Sequence, residues 1–315
     1  VYTSDSTFGS LFGTTLYAGG KSVDQNGTSY YIPSGIKKVT ITKQARIPAY
    51  AFANCNFIEE ITLSDNTSVL ENRAFYNCSS LKSMVLPSSV TEVGNYAFYG
   101  CRDMASITLS NFAKINDYTF YNCSLLDGVV LPETLTAIGN NAFYGCVGLT
   151  RIAIPKGVVS IGDNAFYGCR GITELELPDG LETIGSYAFR DIQLRTIIVP
   201  NSVTSIGAGA FQGCPLESIT LPFVGGSRKI SSSVKSSDYS WNGGSEYIFG
   251  YIFGGATSYG TSSSAPSIPS GTIYQGQSSS RSGSNYYWTG YYIPSTLKTV
   301  TITDATGISA NAFYG

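Results

Sequence analysis

The sequence contains no histidine, and only 13% of its 315 residues are charged. The missing histidine excludes Ser-His-Asp triads, Cys-His dyads and histidine-bearing zinc sites. A mechanism based on a pair of carboxylates remains open, because 21 acidic residues are present. The net charge of −2 provides no long-range field that would attract nucleic acid or an anionic membrane surface, so neither partner is expected.

Long apolar runs are also missing. No run reaches the ~18 residues that a membrane-spanning helix needs, and residues 1–5 lack the basic and apolar regions of a secretory signal peptide. We therefore expect no direct membrane insertion of this chain. The sequence has no phosphate-binding loop and no nucleophile elbow, and it indicates no cofactor and no bound metal.

What the chain does contain is a repeat of 22 or 23 residues, marked by an Ala-Phe step in which Thr119 once replaces the alanine. Such a period is typical of a solenoid, in which stacked coils share a core that no single coil could close. The phenylalanines of the step are Phe52, Phe75, Phe98, Phe120, Phe143, Phe166, Phe189 and Phe211, with a further copy at Phe313.

The unit at residues 149–169 shows how one coil is built. Apolar and other residues alternate at its start, which predicts a short strand that ends at Pro155 because proline cannot donate to a continuing ladder. A second extended stretch leads to Gly162, where we expect a turn with positive φ. The Ala-Phe step follows in a tight turn or a single helical turn that packs inward.

Other residues replace the turn glycine in some units, among them Asn116 and Glu71. Asparagine tolerates positive φ better than most residues, whereas glutamate does not. The turn at Glu71 is therefore expected to differ from the others or to carry backbone strain.

Seven cysteines occupy one position of the repeat, three residues after the phenylalanine, and Ile192 takes that position in the unit without cysteine. An isoleucine there indicates a buried apolar slot, in which free cysteine behaves as a small hydrophobe. Disulfides between coils are the alternative, but equivalent Cβ vectors in stacked coils do not converge and the cysteine count is odd. A metal site is the third interpretation, without a Cys-x-x-Cys spacing to support it.

A larger repeat interrupts the solenoid. Residues 8–13 match residues 249–254, and parts of residues 30–42 match parts of residues 291–303, with a Ser/Gly-rich addition inside the second copy that predicts a mobile loop. We divide the chain into a partial insertion-type module at 1–35, a contiguous solenoid of about eight repeats at 36–222, an inserted aromatic and Ser/Gly-rich module at 223–292 and a resumed, truncated repeat at 293–315.

The chain is also expected to be a section of a longer array. The opening of the second module, from Phe223 to Tyr239, has no counterpart before Phe8, and Gly315 stands just before the position of the next cysteine.

The inserted module is rich in aromatic residues and holds both tryptophans, Trp241 and Trp288. One interpretation is a hairpin whose rings cap the interrupted core, which duplication favours for Phe249 and Phe253. The other is an adhesive projection, because Trp and Tyr dominate binding hot spots. Trp241 and Trp288 have no match in the first module, and they are kept as candidate ligand-binding residues.

The unit Leu-x-x-Ile-x-Leu/Ile-Pro-x-x-Val-x-x-Ile-Gly-x-x-Ala-Phe-x-x-Cys resembles the repeat of the BspA-like leucine-rich-repeat proteins, over about residues 36–222 and 293–315. The resemblance implies a leucine-rich-repeat solenoid, a β-rich right-handed superhelix of short strands and tight or single helical turns, here with one inserted aromatic hairpin-like module. It also implies a secreted or surface-displayed protein that mediates adhesion, and it brings no catalytic residues.

The row of residues that should point outward from the main sheet is poor in charge for an exposed surface. It could form a weakly polar docking strip, with Val85, Val130 and Ile198 as candidate ligand-binding residues. Strand propensity alone would also place such residues there. The outer row consists of Thr40, Thr62, Val85, Thr108, Val130, Ala153, Glu176, Ile198, Thr220 and Thr301.

Three functions follow from these observations. The first is a non-enzymatic, monomeric, extracellular or cell-surface protein that binds a protein or glycan on a host or neighbouring cell surface. The second is a passive spacer or stalk that displays another domain of a longer protein, which low charge and repetition also suit. The third, an enzyme with paired carboxylates, lacks any pair of carboxylates placed by a motif.

Overall fold

The structure, a computed structural model, describes residues 7–16, 18–227, 249–260, 272–278 and 286–304. Within these ranges the 3-10 helices are Phe8–Leu11 and Phe249–Phe253. In chain order the strands are β1 (Gly20–Gln25), β2 (Thr28–Pro33), β3 (Lys38–Thr40), β4 (Arg46–Ile47), β5 (Glu60–Thr62), β6 (Val69–Leu70), β7 (Ser83–Val85), β8 (Glu92–Val93), β9 (Ser106–Thr108), β10 (Lys114–Ile115), β11 (Ala137–Ile138), β12 (Ser160–Ile161), β13 (Thr183–Ile184), β14 (Thr196–Ile198), β15 (Ser205–Ile206), β16 (Ser218–Leu221), β17 (Gly255–Gly260), β18 (Thr272–Ser278), β19 (Tyr286–Pro294) and β20 (Thr299–Ile302).

Two rows of short parallel strands run along the molecule. In the first row, β3, β5, β7 and β9 form one sheet, and β14, β16 and β20 form another. In the second row, β4, β6 and β8 form one sheet, and β10, β11, β12, β13 and β15 form another. Equivalent residues pair between neighbouring coils, as Ile138 does with Ile161 and Ile161 with Ile184. The predicted solenoid is therefore confirmed, with one coil for each repeat. The short strand predicted to end at Pro155 is wrong, because residues 151–155 form no strand and the first row is interrupted between β9 and β14.

The Ala-Phe step places the phenylalanine ring of each coil on the ring of the next. From Phe52 to Phe211 the ring centroids of successive coils lie 5.2–5.8 Å apart, and the planes differ by 2–19°. Every ring in this column is buried. Burial of one such side chain contributes about 1.5–3 kcal/mol, so the column is a main source of stability along the rod.

The Ala-Phe segments are tight turns, and the described residues contain no α-helix. Around Phe166, the N–H of Cys169 donates to the Phe166 carbonyl within the coil (3.2 Å), while the N–H of Phe166 donates to the Ala188 carbonyl of the next coil (2.8 Å). Asn164 and Gly168, on either side of Phe166, have φ values of 53° and 71°. Two left-handed residues per turn thus let the amides alternate between bonds within a coil and bonds between coils.

The prediction that Gly162 has a positive φ is wrong, because its backbone is not among the left-handed residues. A Cβ atom at Gly162 would lie 2.7 Å from the backbone nitrogen of Asn140 in the preceding coil. The N–H of Gly162 donates to the Ile138 carbonyl across this contact, at 2.8 Å. Glycine is needed here for the close approach of two coils, and the same holds for its counterparts Gly94, Gly139, Gly185 and Gly207.

The expected strain at Glu71 is also wrong, because Glu71 has no positive φ. Its N–H donates to the Ile47 carbonyl at 2.9 Å, as the glycine amide does in other coils. Its carboxylate pairs with Arg46 of the preceding coil at 2.8 Å. At Asn116 the side-chain Nδ2 donates to the Val93 carbonyl at 2.7 Å, where other coils use a backbone amide. Glu71 therefore keeps the usual backbone bond between coils, and Asn116 replaces that bond with one from its side chain.

The seven cysteines are free thiols and all are buried, as the apolar-slot interpretation predicts, and Ile192 is buried in the same way. A thiol donates to the phenylalanine carbonyl of the preceding coil, as Cys123 does to Phe98 at 3.2 Å. In the first coil, Cys55 instead accepts a hydrogen bond from Nε2 of the buried Gln25 at 3.3 Å. Burial raises the pKa of the Cys55 and Cys146 thiols to about 12.

The two 3-10 helices share one geometry. Phe8 and Phe12 pack edge to face with centroids 5.3 Å apart at 69°, and Phe249 and Phe253 do so at 5.2 Å and 68°. Phe8 also stacks on Phe52, the first ring of the column, at 5.1 Å. Phe249 and Phe253 are buried in the core, where the structural interpretation of the duplicated module places them.

The strands that follow each 3-10 helix are also related. β1 and β2 form an antiparallel hairpin, whereas β19 lies between β17 and β18 in a three-stranded antiparallel sheet. The N–H of Tyr31 donates to the Gly13 carbonyl at 3.1 Å, and the N–H of Tyr292 donates to the Gly254 carbonyl at 3.1 Å. After the second module, β20 pairs with β16 and resumes the first row. The domain boundaries at 35, 222 and 292 remain predictions.

Replacing Gly162 by alanine should destabilise the protein by about 1–3 kcal/mol, because the new Cβ overlaps backbone of the preceding coil. Gly168→Asn is the matched control, since Gly168 has a φ of 71° and open space around it, and Asn122 occupies the equivalent position with a φ of 55°. Its effect should stay below about 0.5 kcal/mol. Urea unfolding measures both free energies, and equal losses would refute the assignment of Gly162 to a close contact.

The buried thiols should not react with an aromatic disulfide reagent at pH 8 while the protein is folded. Desolvation raises their pKa and so disfavours the reactive thiolate, and packing blocks access. All seven should react after denaturation. Stoichiometric labelling of any thiol in the folded protein, with unchanged circular dichroism, would contradict the sealed arrangement.

Candidate binding surfaces

The outer row of the main sheet points into solvent as predicted. Val85, Val130 and Ile198 expose 68%, 81% and 69% of their surface. Val85 pairs in register with Thr108, and Thr108 forms a parallel bridge to Val130. Val85 and Val130 are thus two coils apart, about 10 Å at ordinary strand spacing.

Ile198 lies further along the outer row. Ala153 and Glu176 stand between Val130 and Ile198 in the repeat, and both are exposed. Three coil spacings separate the two apolar side chains, about 14 Å. One threonine, Thr108, thus separates Val85 from Val130, whereas two residues, one of them the charged Glu176, separate Val130 from Ile198.

Of the two candidate tryptophans, Trp288 is among the described residues. The backbone of Trp288 lies in β19, opposite Ser258 of β17 and Ser278 of β18. Trp241 lies outside the described residues. Both remain predicted binding residues.

A surface that sequence reasoning missed is a column of stacked tyrosines, here called the tyrosine face. It arises because the residue after the core phenylalanine is tyrosine in five successive coils, so equivalent rings lie one coil spacing apart. The centroids of neighbouring rings are 4.5–4.8 Å apart with planes 2–12° from parallel. The tyrosine face consists of Tyr76, Tyr99, Tyr121, Tyr144 and Tyr167, all partly exposed.

A second, shorter column flanks the first. Tyr96 and Tyr118 stack at 4.5 Å and lean toward the tyrosine face, 5.9 Å from Tyr99 and 5.7 Å from Tyr121. Both have left-handed backbones, with φ values of 59° and 58°. A non-glycine residue pays about 1–2 kcal/mol for this conformation, and the stacking of the rings helps to offset it.

An arginine covers one end of each column. The guanidinium carbon of Arg73 lies 4.6 Å from the Tyr96 ring centroid, and Nη1 of Arg73 donates to the Tyr50 hydroxyl at 2.6 Å. The guanidinium carbon of Arg190 lies 5.0 Å from the Tyr167 ring. Both faces of Tyr99, Tyr121 and Tyr144 are stacked on neighbouring rings, so this part of the tyrosine face offers ring edges and hydroxyl groups to a ligand rather than open faces for stacking.

A polar ladder runs beside the second row of strands. Oδ1 of Asp117 accepts the N–H of Asn140, Oδ1 of Asn140 accepts the N–H of Asp163, and Oδ1 of Asp163 accepts the N–H of Ser186, at 2.7–2.8 Å. The ladder borders a shallow groove of about 470 Å³. Its two carboxylates accept backbone amides, which is a structural use, and no group of potential metal ligands occurs among the described residues.

The fold defines this chain as a leucine-rich-repeat solenoid. The BspA type leucine-rich-repeat model matches residues 45–172 and 113–234 in six copies, which together cover more than half of the chain. The chain belongs to this family. Leucine-rich-repeat domains typically bind proteins, and the family is generally non-enzymatic.

Several solved structures resemble the chain. A leucine-rich cell-surface protein of Faecalibacterium prausnitzii is 25% identical, with 58% of this chain and 59% of that chain covered and a TM-score of 0.43. The T. pallidum leucine-rich-repeat protein is 26% identical, with 64% and 89% covered and a TM-score of 0.44. A leucine-rich-repeat protein of Bacteroides ovatus is 22% identical, with 65% and 64% covered and a TM-score of 0.36.

The chain thus spans less than two thirds of the length of the Faecalibacterium and Bacteroides proteins. No curated protein matched the sequence. Among the described residues there is no helix with the length and apolar character to cross a membrane.

The tyrosine face should limit stability at alkaline pH. Burial and the charge of neighbouring tyrosinates raise the pKa of Tyr99, Tyr121 and Tyr144 above its usual value. The stabilisation by neutral phenols is therefore fully present below the ordinary pKa of about 10 and lost as pH rises through the higher folded values. NMR of isotopically labelled tyrosine measures the titrations.

In the same experiment, Tyr144→Phe keeps a ring in the column and removes one charge, so it should bring the pKa of Tyr121 closer to the usual value. Tyr187→Phe, outside the tyrosine face, is the control and should leave the pKa of Tyr121 unchanged. A Tyr121 titration that Tyr144→Phe does not move would show that the stacked rings are not electrostatically coupled.

Proposed function

We propose that this protein acts outside the cell or on its surface as a non-enzymatic, monomeric binding protein. Its partner is a protein or glycan on a host or neighbouring cell surface, and the result of binding is adhesion. The family assignment supports a protein-binding or surface role in general. The proposal of adhesion itself rests on the exposed surfaces of the solenoid.

The observation that carries the proposal is the exposure of large apolar side chains on the outer row. Val130 exposes 81% of its surface and Val85 exposes 68%. Val85 lies on β7, which pairs with β9, and Val130 forms a single parallel bridge to Thr108 of β9. Complete burial of one valine on binding contributes about 1.5–3 kcal/mol. A rigid strip of this kind can bind a large partner without ordering a flexible loop first.

Strand propensity is the competing explanation for these residues, because valine and isoleucine suit any strand. It predicts no loss of binding when the row is changed. The tyrosine face and the two tryptophans are alternative places for the same function. The rings of tyrosine combine apolar area with a hydrogen-bonding hydroxyl, and they are common in binding hot spots.

The test uses the purified chain on an array of matrix proteins and glycans, followed by affinity measurements on the ligand that binds. The triple variant Val85→Lys, Val130→Lys and Ile198→Lys should weaken binding by at least about tenfold, because three charges would have to be desolvated. The matched control makes the same replacement away from the row, at Val147 and Val159, which are also exposed. The control should bind like the parent chain.

Unchanged affinity of the triple variant would rule out the outer row as the site. Parallel variants, Tyr99→Ala with Tyr121→Ala and Trp241→Ala with Trp288→Ala, then show which other surface binds. A folded chain that binds nothing on the arrays would favour the second candidate function, a passive spacer, which the low charge and the uniform repeat also suit.

A further inference from the structure

The first coil of the solenoid presents an end face that its own strands do not close. β3 and β4 are the outermost strands of their sheets, and none of the described residues pairs with their outer edges. A cavity of about 470 Å³ opens between these strands and the first 3-10 helix. Its lining is mainly apolar and includes Phe8, Leu11, Val39, Ile41, Ile47 and Phe52.

The inward side chains in and next to β3 are less buried than their equivalents one coil further along, whereas Ile47 of β4 is buried. Val39 pairs with Ile61 in register, and Val39 is half-buried whereas Ile61 is 4% exposed. Ile41 is half-buried and Leu63, at the equivalent position of the next coil, is 7% exposed. β5 lies between two strands, β3 and β7, whereas β3 has a described neighbour on one side only.

The second copy of the module shows which structure covers this face. Residues 38–42 correspond to residues 299–303, and there the strand β20 is covered by β16. Val300 and Ile302, the counterparts of Val39 and Ile41, pair with Ile219 and Leu221 in parallel register. The N–H of Thr303 donates to the Leu221 carbonyl at 2.9 Å.

The chain continues from β16 into the segment Leu221-Pro-Phe-Val-Gly225. Phe223 and Val224 are 1% and 3% exposed, and just after them a Cβ on Gly226 would collide with the Tyr251 ring of the second 3-10 helix. The segment thus adds buried apolar side chains beside the second 3-10 helix, whose counterpart in the first module borders the cavity.

A comparison of the two 3-10 helices also indicates that one more coil fits on this face. In the second copy, the N–H of Gly209 donates to the Tyr251 carbonyl, and the N–H of Phe211 donates to the Ile252 carbonyl, both at 2.9 Å. Ile252 is completely buried. Its counterpart in the first copy, Leu11, is 52% exposed, and no described residue donates to its carbonyl.

We propose that the end face formed by β3, β4 and the first 3-10 helix is a docking surface for one more leucine-rich-repeat coil. The occupant has a strand parallel to β3 that ends in a segment like Leu221-Pro-Phe-Val-Gly225. Strand pairing fixes its register, and its apolar residues fill the cavity. A second copy of this chain is a poor occupant, because its coil with that segment is already covered by its own β20.

The experiment adds the occupant to the full chain. Residues 1–7 are replaced by a second copy of residues 194–248, so that this segment leads into Phe8 as it leads into Phe249 in the native sequence. Val39→Cys reports on the face, because the seven native thiols are buried and do not compete for the reagent. The added coil should slow labelling of Cys at position 39 at least about tenfold, because reaction then requires local opening. It should also raise Tm.

The matched control is the same fusion with Ile219→Lys and Leu221→Lys in the added copy only, which keeps its length and destroys its apolar strand. In this control, labelling at position 39 should return to the rate of the parent chain. Ile61→Cys, one coil inside, should be protected in every version. Equal labelling rates at position 39 in the fusion and the parent chain would overturn the proposal.

Two further measurements identify other occupants. If position 39 is already protected in the parent chain and deletion of residues 1–6 exposes it, those residues fill the face and the proposal is wrong. If protection in the parent chain rises with protein concentration and sedimentation shows dimers, a second copy fills it, and the proposal is wrong as well. Rapid labelling in the parent chain, with neither effect, is the expected result.

Discussion

The hydrogen bonds between coils force each side chain to lie beside its own equivalent, about 4.8 Å away. Equivalent side chains of successive coils must therefore pack on one another along the whole rod. Phenylalanine, tyrosine, cysteine and asparagine meet this condition, because each can stack on or hydrogen-bond to its neighbour. Charged residues meet it when their sign alternates from coil to coil, as in Lys37, Glu59 and Lys82 or in Arg195, Glu217 and Lys298. They also meet it when a neutral residue separates like charges, as Asn140 separates Asp117 and Asp163. The low charge of the sequence agrees with this constraint.

Much of the fold could be predicted from the sequence, because the period reveals which residues are equivalent. The coil, the inward phenylalanine, the buried cysteine slot and the exposure of Val85, Val130 and Ile198 each depend only on position within one repeat. Gly162 shows where such reasoning fails. Its role depends on the distance to Asn140 in another coil, and a sequence does not give that distance.

The tyrosine face was missed for a different reason. Tyr144 and Tyr167 look like ordinary surface residues when each unit is read by itself, and their relation appears only when the units are aligned by column. An alignment of the repeats therefore contains this signal. Asn116 could not have been interpreted in this way, since its side chain replaces a backbone amide in a bond to Val93. The binding surfaces are therefore only partly predictable, and the ligand is not encoded in any local motif.

Gln25 shows how a periodic core can begin. Each cysteine from the second coil onward donates its S–H toward the preceding coil, so the first coil needs a different partner for its cysteine. The buried amide of Gln25 donates to the Cys55 sulfur and to the Ala51 and Ala53 carbonyls, and it accepts the N–H of Gly9. In β18 of the second module, Gln277 occupies the same register position relative to its partner strand.

The equivalence of the coils also affects how such a gene can change. A coil that touches only its neighbours, through contacts of the same kind on both sides, can be duplicated or lost as a block without creating a new type of interface. Unequal recombination within the repeats would then alter the length of the rod in steps of 22 or 23 codons while the reading frame and the core are kept. The length of the rod can then be inherited and selected separately from the chemistry of its surface.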